Sequence, residues 1–337
     1  MSSTRLARHA RRAGLVPAAV LAIGLVATAC AQTDVPESLP GPTTPTTAEA
    51  AAPPETPDCD PATVTQSLRP DAAAQAAATS GDLPAGSYMA TIQERGRLRV
   101  AVDTSTMLFS IVDPRDGRFS GFDVDIAEEV AAALFGEATQ ETLELVAVPK
   151  SERVNVLLGE GAVDMVADTF TITCGRDADI DFSSVYFQSA QRLLVREDDP
   201  ATSIAEFAAN GGRACAPTGS TSIDNMNALP DPPEIVDAPS QGACLVLLQQ
   251  GRVEGISTDD TILAGMVAQD PTLKVVGDGL SEEPYGLGLP PGHPEWVRYV
   301  NAVLENVRAS GRWDQLYDTW FADHLGDRPP PEPSYRG

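Results

Sequence analysis

The chain is poor in several residues on which much chemistry depends. Its 337 residues hold two lysines, Lys150 and Lys274, and three histidines, His9, His293 and His324. No CxxC pair occurs, which leaves a zinc site or thioredoxin-type exchange without its ligands. GxSxG, HExxH, a P-loop and GxGxxG are all missing, and with them the usual nucleophile, metal and nucleotide frameworks. Basic residues number 23 against 48 acidic ones, and the net charge of −25 repels phosphate backbones and argues against nucleic-acid binding. One long apolar run exists, at the N-terminus, so a multi-span membrane protein is excluded. What is present, 42% hydrophobic residues over a chain of this length, suffices for two domains.

The N-terminus reads as an export signal over residues 1–29. Arg5, Arg8, Arg11 and Arg12 precede an apolar stretch from Leu15 to Val26, then Ala27, Thr28 and Ala29. Cys30 follows at once, an arrangement that resembles a bacterial lipobox, with Ala27 where leucine is usual. Its thiol is expected to be diacylated and to anchor the protein on the outer face of the cell membrane. Residues 30–57 are rich in Pro and Thr and nearly free of large apolar side chains, so they form an extended linker. Residues 58–86 make an Ala-rich N-terminal extension, and 327–337 a Pro-rich tail.

From residue 87 short β-branched runs alternate with helical periods, the pattern of an α/β architecture. Ser87 caps a helix ended by Gly96, Leu98–Val102 is a strand, and Asp123 or Asp125 starts a helix closed by Gly136. Strands follow at Leu143–Val148 and Val163–Ala167, with Ser151 capping a helix between them. A second βα series begins at Gln191–Val195 and runs through strands at Arg213–Ala216, Glu234–Val236 and Val253–Ser257. Tyr285–Leu289 returns the chain to the first series. Lobe 1 is thus discontinuous, 87–190 and 285–326, lobe 2 is 191–284, and the two crossings form a hinge. With Cys30 lipidated, four cysteines remain, an even number that suggests two disulfides in an exported chain. Of three connectivities, Cys215–Cys244 within lobe 2 and Cys59–Cys174 between the extension and lobe 1 suit this arrangement.

Six stretches in order then carry a resemblance. They are Leu98–Asp103; Gly121–Ile126; Thr169–Arg176 with Asp181–Ser183; Gly219–Thr221; Ser257–Asp260; and Gly311–Trp313 with Trp320–Phe321. Together they resemble the family 3 bacterial extracellular solute-binding proteins, polar amino-acid receptors of ABC importers, nearest the glutamine/glutamate type. The resemblance implies the type II periplasmic-binding-protein fold, two α/β lobes joined by a two-strand hinge. It implies a monomeric receptor without catalytic residues, metal or cofactor, whose partners are a polar amino acid and an ABC permease or a membrane sensor protein.

An α-amino acid presents a carboxylate and an ammonium, so its receptor needs a fork of donors and a carboxylate nearby. In the family's Thr-x-Thr-x-x-Arg pattern this chain supplies Thr171, Thr173 and Arg176, which makes Arg176 the clamp for the ligand carboxylate, with Thr169 and Thr171 beside it. Ser220 and Thr221 open a helix, whose free N–H groups favour an anion. Asp259 matches the family's ammonium-binding acid, with Asp260 as the neighbouring alternative. Two clues to the ligand side chain conflict. Arg153 matches a position that faces a distal carboxylate in glutamate/aspartate receptors, whereas Asp103 matches an acid that accepts from the amide in glutamine receptors. The balance favours glutamate or aspartate, with glutamine or asparagine next. Phe109 and Phe170 are candidates for the pocket wall or for the core.

Overall fold

A computed structural model of the protein describes residues 59–336, apart from 61 and 160. The export signal, Cys30 and the whole linker lie outside the described residues. Two five-stranded mixed sheets, each flanked by helices, make an α/β molecule of two lobes.

The first sheet runs in the order Leu143–Ala147, Leu98–Val102, Met165–Val166, Gly288–Leu289 and Asp181–Phe182. Its first three strands are parallel and Gly288–Leu289 is antiparallel to both of its neighbours. The second sheet runs Glu234–Ala238, Arg213–Pro217, Gly255–Asp259, Phe187–Arg196 and Leu273–Tyr285. Phe187–Arg196 carries the chain out of the first lobe and Leu273–Tyr285 carries it back. The two pair antiparallel from Phe187 opposite Tyr285 onward, with an irregularity between Val276 and Ser281. Both crossings are therefore parts of long strands, stiffer than two loops would be.

Local sequence explains most element ends. Ser87 accepts from the Ala90 N–H to start Tyr88–Arg95, and Gly96 closes it at φ 83°. The helix Phe122–Phe135 starts differently from the expectation. Its N-cap is Gly121, and Asp123 lies buried inside the first turn. Gly121 sits at φ 140°, and a Cβ there would stand 2.1 Å from the Phe109 carbonyl oxygen, so no other residue fits. Likewise Ser151 does not cap a helix. Residues Lys150–Glu152 form a 3-10 turn that runs into Arg153–Leu158.

The scarce aromatics are concentrated under the hinge. Phe109, Phe122, Phe187, Tyr285, Trp313 and Phe321 are fully or almost fully buried, with ring centroids 5.0–6.2 Å apart in neighbouring pairs. Many of these pairs meet edge to face, the arrangement favoured by ring quadrupoles. Phe109 thus belongs to the core and not to a pocket wall: it is enclosed on several sides by other rings, which outbid the cleft for its apolar surface.

Two disulfides join Cys59 to Cys174 and Cys215 to Cys244. The first ties the N-terminal extension to the short helix Cys174–Asp177, which carries Arg176. The second staples the strand Arg213–Pro217 to the helix Gln241–Gln249. The tail is not free. Tyr335–Arg336 pairs in parallel with Ser67–Leu68, and Arg328 bonds Asp260 at 2.7 Å, so the C-terminal segment crosses behind the hinge from one lobe to the other. Among the described residues no helix is long and apolar enough to cross a membrane.

Candidate functional site

The carboxyl ends of the parallel strands in the two sheets face each other across a narrow cleft. A small cavity there is lined from one lobe by Lys150, Arg153, Thr169, Thr171 and Arg176. From the other lobe it is lined by Ser220, Thr221, Ser222, Gln241, Thr258, Asp259 and Ile262. The space left open between these side chains is about 10 Å³, room for about one water, so the two lobes stand closed on each other and an amino acid would have to part them. A larger hollow of about 1260 Å³ lies behind the hinge, but its one lining cation, Arg328, is already paired with Asp260. In the cleft three cations and Asp259 converge.

Arg176 projects from the short helix whose N-cap is Thr173. Its Nη1 donates to the Thr171 carbonyl at 2.6 Å and its Nη2 to the Gly219 carbonyl at 3.2 Å, a bond from one lobe to the other. Burial, and then the neighbouring Arg153, lower its pKa to about 9, so it remains a cation at neutral pH. Arg153 is buried, and Nε, Nη1 and Nη2 donate to the carbonyls of Lys150, Asp168 and Gly219 at 2.9, 3.0 and 3.2 Å. Both guanidinium groups lie over the Phe170 ring, with Cζ 4.4 Å and 4.8 Å from its centroid. Phe170 therefore supports the cations from below. The Gly219 carbonyl that both arginines share depends on a close approach. At φ 78° a Cβ on Gly219 would stand 2.7 Å from Ser151 Cα.

Of the two adjacent acids, Asp259 lines the cavity and accepts a hydrogen bond from the Tyr285 hydroxyl. Asp260 turns away to Ser189 Oγ and Arg328. Burial, and then the nearby charge of Glu283, push the Asp259 carboxyl up to about 7. Ser220 and Thr221 also reach the cavity, but by their side chains. The Ser220 N–H is spent on the Pro217 carbonyl and Thr221 Oγ1 donates to Glu283 at 2.8 Å, so the expected anion seat on free backbone amides is not formed at Ser220. The Ser220 hydroxyl and Gln241 Oε1 are buried without a partner, and both point to a polar occupant.

Asp103 does not line the cavity. Its carboxylate accepts from the N–H of Thr104 and Ser105 and from the Thr106 hydroxyl. Burial alone would raise its pKa, but Lys150 and these donors hold it below the usual range. Its position at a strand end was legible. The loop donors that turn it inward were not.

Two charged residues at the site escaped the sequence reading. Lys150 is buried, with Nζ 2.6 Å from Asp168 and 3.0 Å from Thr169 Oγ1. The only available signal was its rarity, one of two lysines. Glu283, on the returning strand, accepts from Thr171 and Thr221 at 2.7 and 2.8 Å, one hydroxyl from each lobe, and from Asn225 at 2.9 Å. It stood before the expected strand start at Tyr285 and so read as loop. Thr169 is unusual in another way. It holds φ 40°, costly for a β-branched residue, with its N–H donated to the buried Asp123 at 2.8 Å. Among the described residues no cluster of His, Cys, Asp or Glu could hold a metal ion.

Comparison with known proteins agrees with this architecture. The family model of bacterial extracellular solute-binding proteins, family 3, matches residues 98–323. The chain is 29% identical over 235 residues to the ABC transporter glutamine-binding protein GlnH of Bacillus subtilis, covering 70% of this chain and 85% of that one. It is 30% identical over 255 residues to the glutamate-binding protein GluB of Corynebacterium glutamicum, covering 73% and 84%. A solved ancestral arginine-binding protein bound to glutamine superposes with a TM-score of 0.62 at 28% identity, covering 69% of this chain and 99% of that one. The chain belongs to the bacterial extracellular solute-binding proteins of family 3, and it is a receptor, not an enzyme.

Proposed function

We propose that the protein is an exported lipoprotein, held by a diacylated Cys30 on the outer face of the membrane, that closes on a polar amino acid and presents it to an ABC permease. Arg176 takes the α-carboxylate, Asp259 takes the ammonium, and Thr169, Thr171, Ser220 and Thr221 ring them. The observation that carries this reading is the split of charge. The cations stand on one lobe and Asp259 on the other, around one cavity. A zwitterion satisfies both lobes at once, so its binding favours the closed form.

Size allows useful affinity. A ligand of about 10 non-hydrogen atoms, at up to about 1.5 kcal/mol each, can supply the roughly 8 kcal/mol that micromolar binding requires. The glutamine and glutamate named for the relatives support the ligand class. A thermal-shift screen of the twenty amino acids, followed by titration calorimetry on the wild type and Arg176→Ala, tests the reading. Polar amino acids should stabilise the wild type, and the variant should lose at least about 30-fold in affinity, since removing one partner of a buried charge pair costs about 2–5 kcal/mol. No shift with any amino acid, or unchanged affinity in the variant, would reject it.

A further inference from the structure

Which side chain the pocket selects turns on what stands where Asp103 would have faced the ligand. Asp103 is engaged by the Thr104 and Ser105 amides and the Thr106 hydroxyl, and its nearest cation is Lys150, with Nζ 3.8 Å from Oδ2. Lys150 lines the cavity and Asp103 does not. The surface offered to the ligand here is therefore an ammonium backed by a carboxylate.

Arg153 is less suited to the task. Each of its three guanidinium nitrogens donates to a backbone carbonyl, so three of its five N–H groups go to holding Lys150, Asp168 and Gly219 in place. Lys150 has three donors and two acceptors within hydrogen-bond distance, Asp168 Oδ1 and Thr169 Oγ1. One N–H is left, between Asp103 Oδ2 at 3.8 Å and the cavity that Lys150 lines. Its aim is fixed by those two acceptors, which come from consecutive residues at the end of the third parallel strand.

We infer that Lys150 is a specificity-determining residue, whose free N–H receives the side-chain carboxylate of the ligand and selects an acidic amino acid over its amide. This deepens the receptor reading above and rests on it. An amide can offer its carbonyl oxygen to the same N–H, but without the charge. A carboxylate meets Lys150 at one end while its backbone carboxylate meets Arg176 at the other. The ammonium between them meets Asp259.

Titration calorimetry with L-glutamate, L-glutamine, L-aspartate and L-asparagine tests the assignment on the wild type and on Lys150→Met. The wild type should bind the better acid at least about 10-fold more tightly than its amide, and Lys150→Met should lose about 30-fold for the acid and less than about threefold for the amide. Should Lys150→Met fail to fold because it strands the buried Asp168, Lys150→Met with Asp168→Asn removes that uncompensated charge and is read in the same way. A wild type that binds an amide at least as tightly as both acids overturns the lysine assignment and leaves the receptor reading standing. Equal losses for acid and amide in the variant overturn it too, by showing a structural role. A wild type that binds no amino acid removes the receptor reading and the lysine assignment together.

Discussion

The cleft and the aromatic base beneath the hinge are built from the same strand, yet they follow opposite rules. In the base, Tyr285 stacks on Phe187 with centroids 5.9 Å apart and meets Phe109 edge to face at 5.7 Å. In the cleft, the hydroxyl of the same Tyr285 donates to Asp259, and two residues earlier Glu283 draws a hydroxyl from each lobe. The base buries apolar rings and gains stability from it. The cleft buries like charges side by side, Arg153 near Arg176 and Glu283 near Asp259, and that burial opposes folding. The difference shows where each property is kept: stability in the base, selectivity in the cleft, with Tyr285 the one side chain that serves both.

The hardest test of that separation is Phe109→Ala. Removing a ring that touches Phe122, Phe187, Tyr285 and Phe321 should cost about 3–5 kcal/mol of stability, measured by denaturant unfolding. The folded fraction should keep its ligand affinity within about threefold, since Tyr285, the partner the two regions share, is tied to Asp259 through its hydroxyl and to Phe109 only through its ring. A tenfold loss of affinity would show that the base sets the position of Asp259 through Tyr285, and the two regions would have to be treated as one.

The cleft makes the reverse prediction, at a smaller scale. Asp259 holds its proton up to about pH 7, against 3.8 for an ordinary carboxyl. The folded protein then binds that proton more tightly than the unfolded chain between these values, so this group lowers the stability of the unliganded protein as pH rises through the window. Ligand binding has the opposite sign. An ammonium requires the ionised carboxylate, so binding expels the proton and affinity should weaken as pH falls below about 7, approaching tenfold, or about 1.4 kcal/mol, per unit. Asp123, raised to about 7 by its burial, titrates nearby, and Asp259→Asn separates the two. That variant should bind weakly at every pH, without the slope that Asp259 contributes, and should unfold at least as high as the wild type at pH 8. A slope unchanged in Asp259→Asn would place the proton elsewhere.

These contrasts also explain what could be read from the chain alone. Arg176 was legible because its motif is local: Thr171, Thr173 and the arginine fall within six residues, whereas its bond to Gly219 on the other lobe was not. The strand Leu98–Val102 was legible from its β-branched residues and has the expected bounds. Glu283 was not, since its partners Thr171 and Thr221 lie 112 and 62 residues away and only closure of the lobes brings them to one oxygen. Phe109 could have served wall or core, and the choice falls to residues as distant as Phe321. The tail read only as Pro-rich, with no trace of the strand it pairs with, because parallel pairing with Ser67–Leu68 is a property of two segments 268 residues apart.

That tail gives the smallest and sharpest test, since it touches neither the rings nor the cleft. Tyr335 donates its hydroxyl to Glu305 at 2.7 Å and lies under Arg69, whose Cζ is 4.9 Å from the ring centroid. Tyr335→Phe keeps the ring and the cation contact and deletes one hydrogen bond to a charged acceptor, worth about 1.5–3 kcal/mol when fully buried and less at this half-exposed position. A loss of about 1 kcal/mol is expected, with amino-acid affinity unchanged. The tail crosses the hinge on the side away from the ligand, tied to one lobe through Arg328 and to the other through this tyrosine and the strand Ser67–Leu68. If Tyr335→Phe shifts affinity as well as stability, the strap biases opening and closing, and selectivity is no longer confined to the cleft.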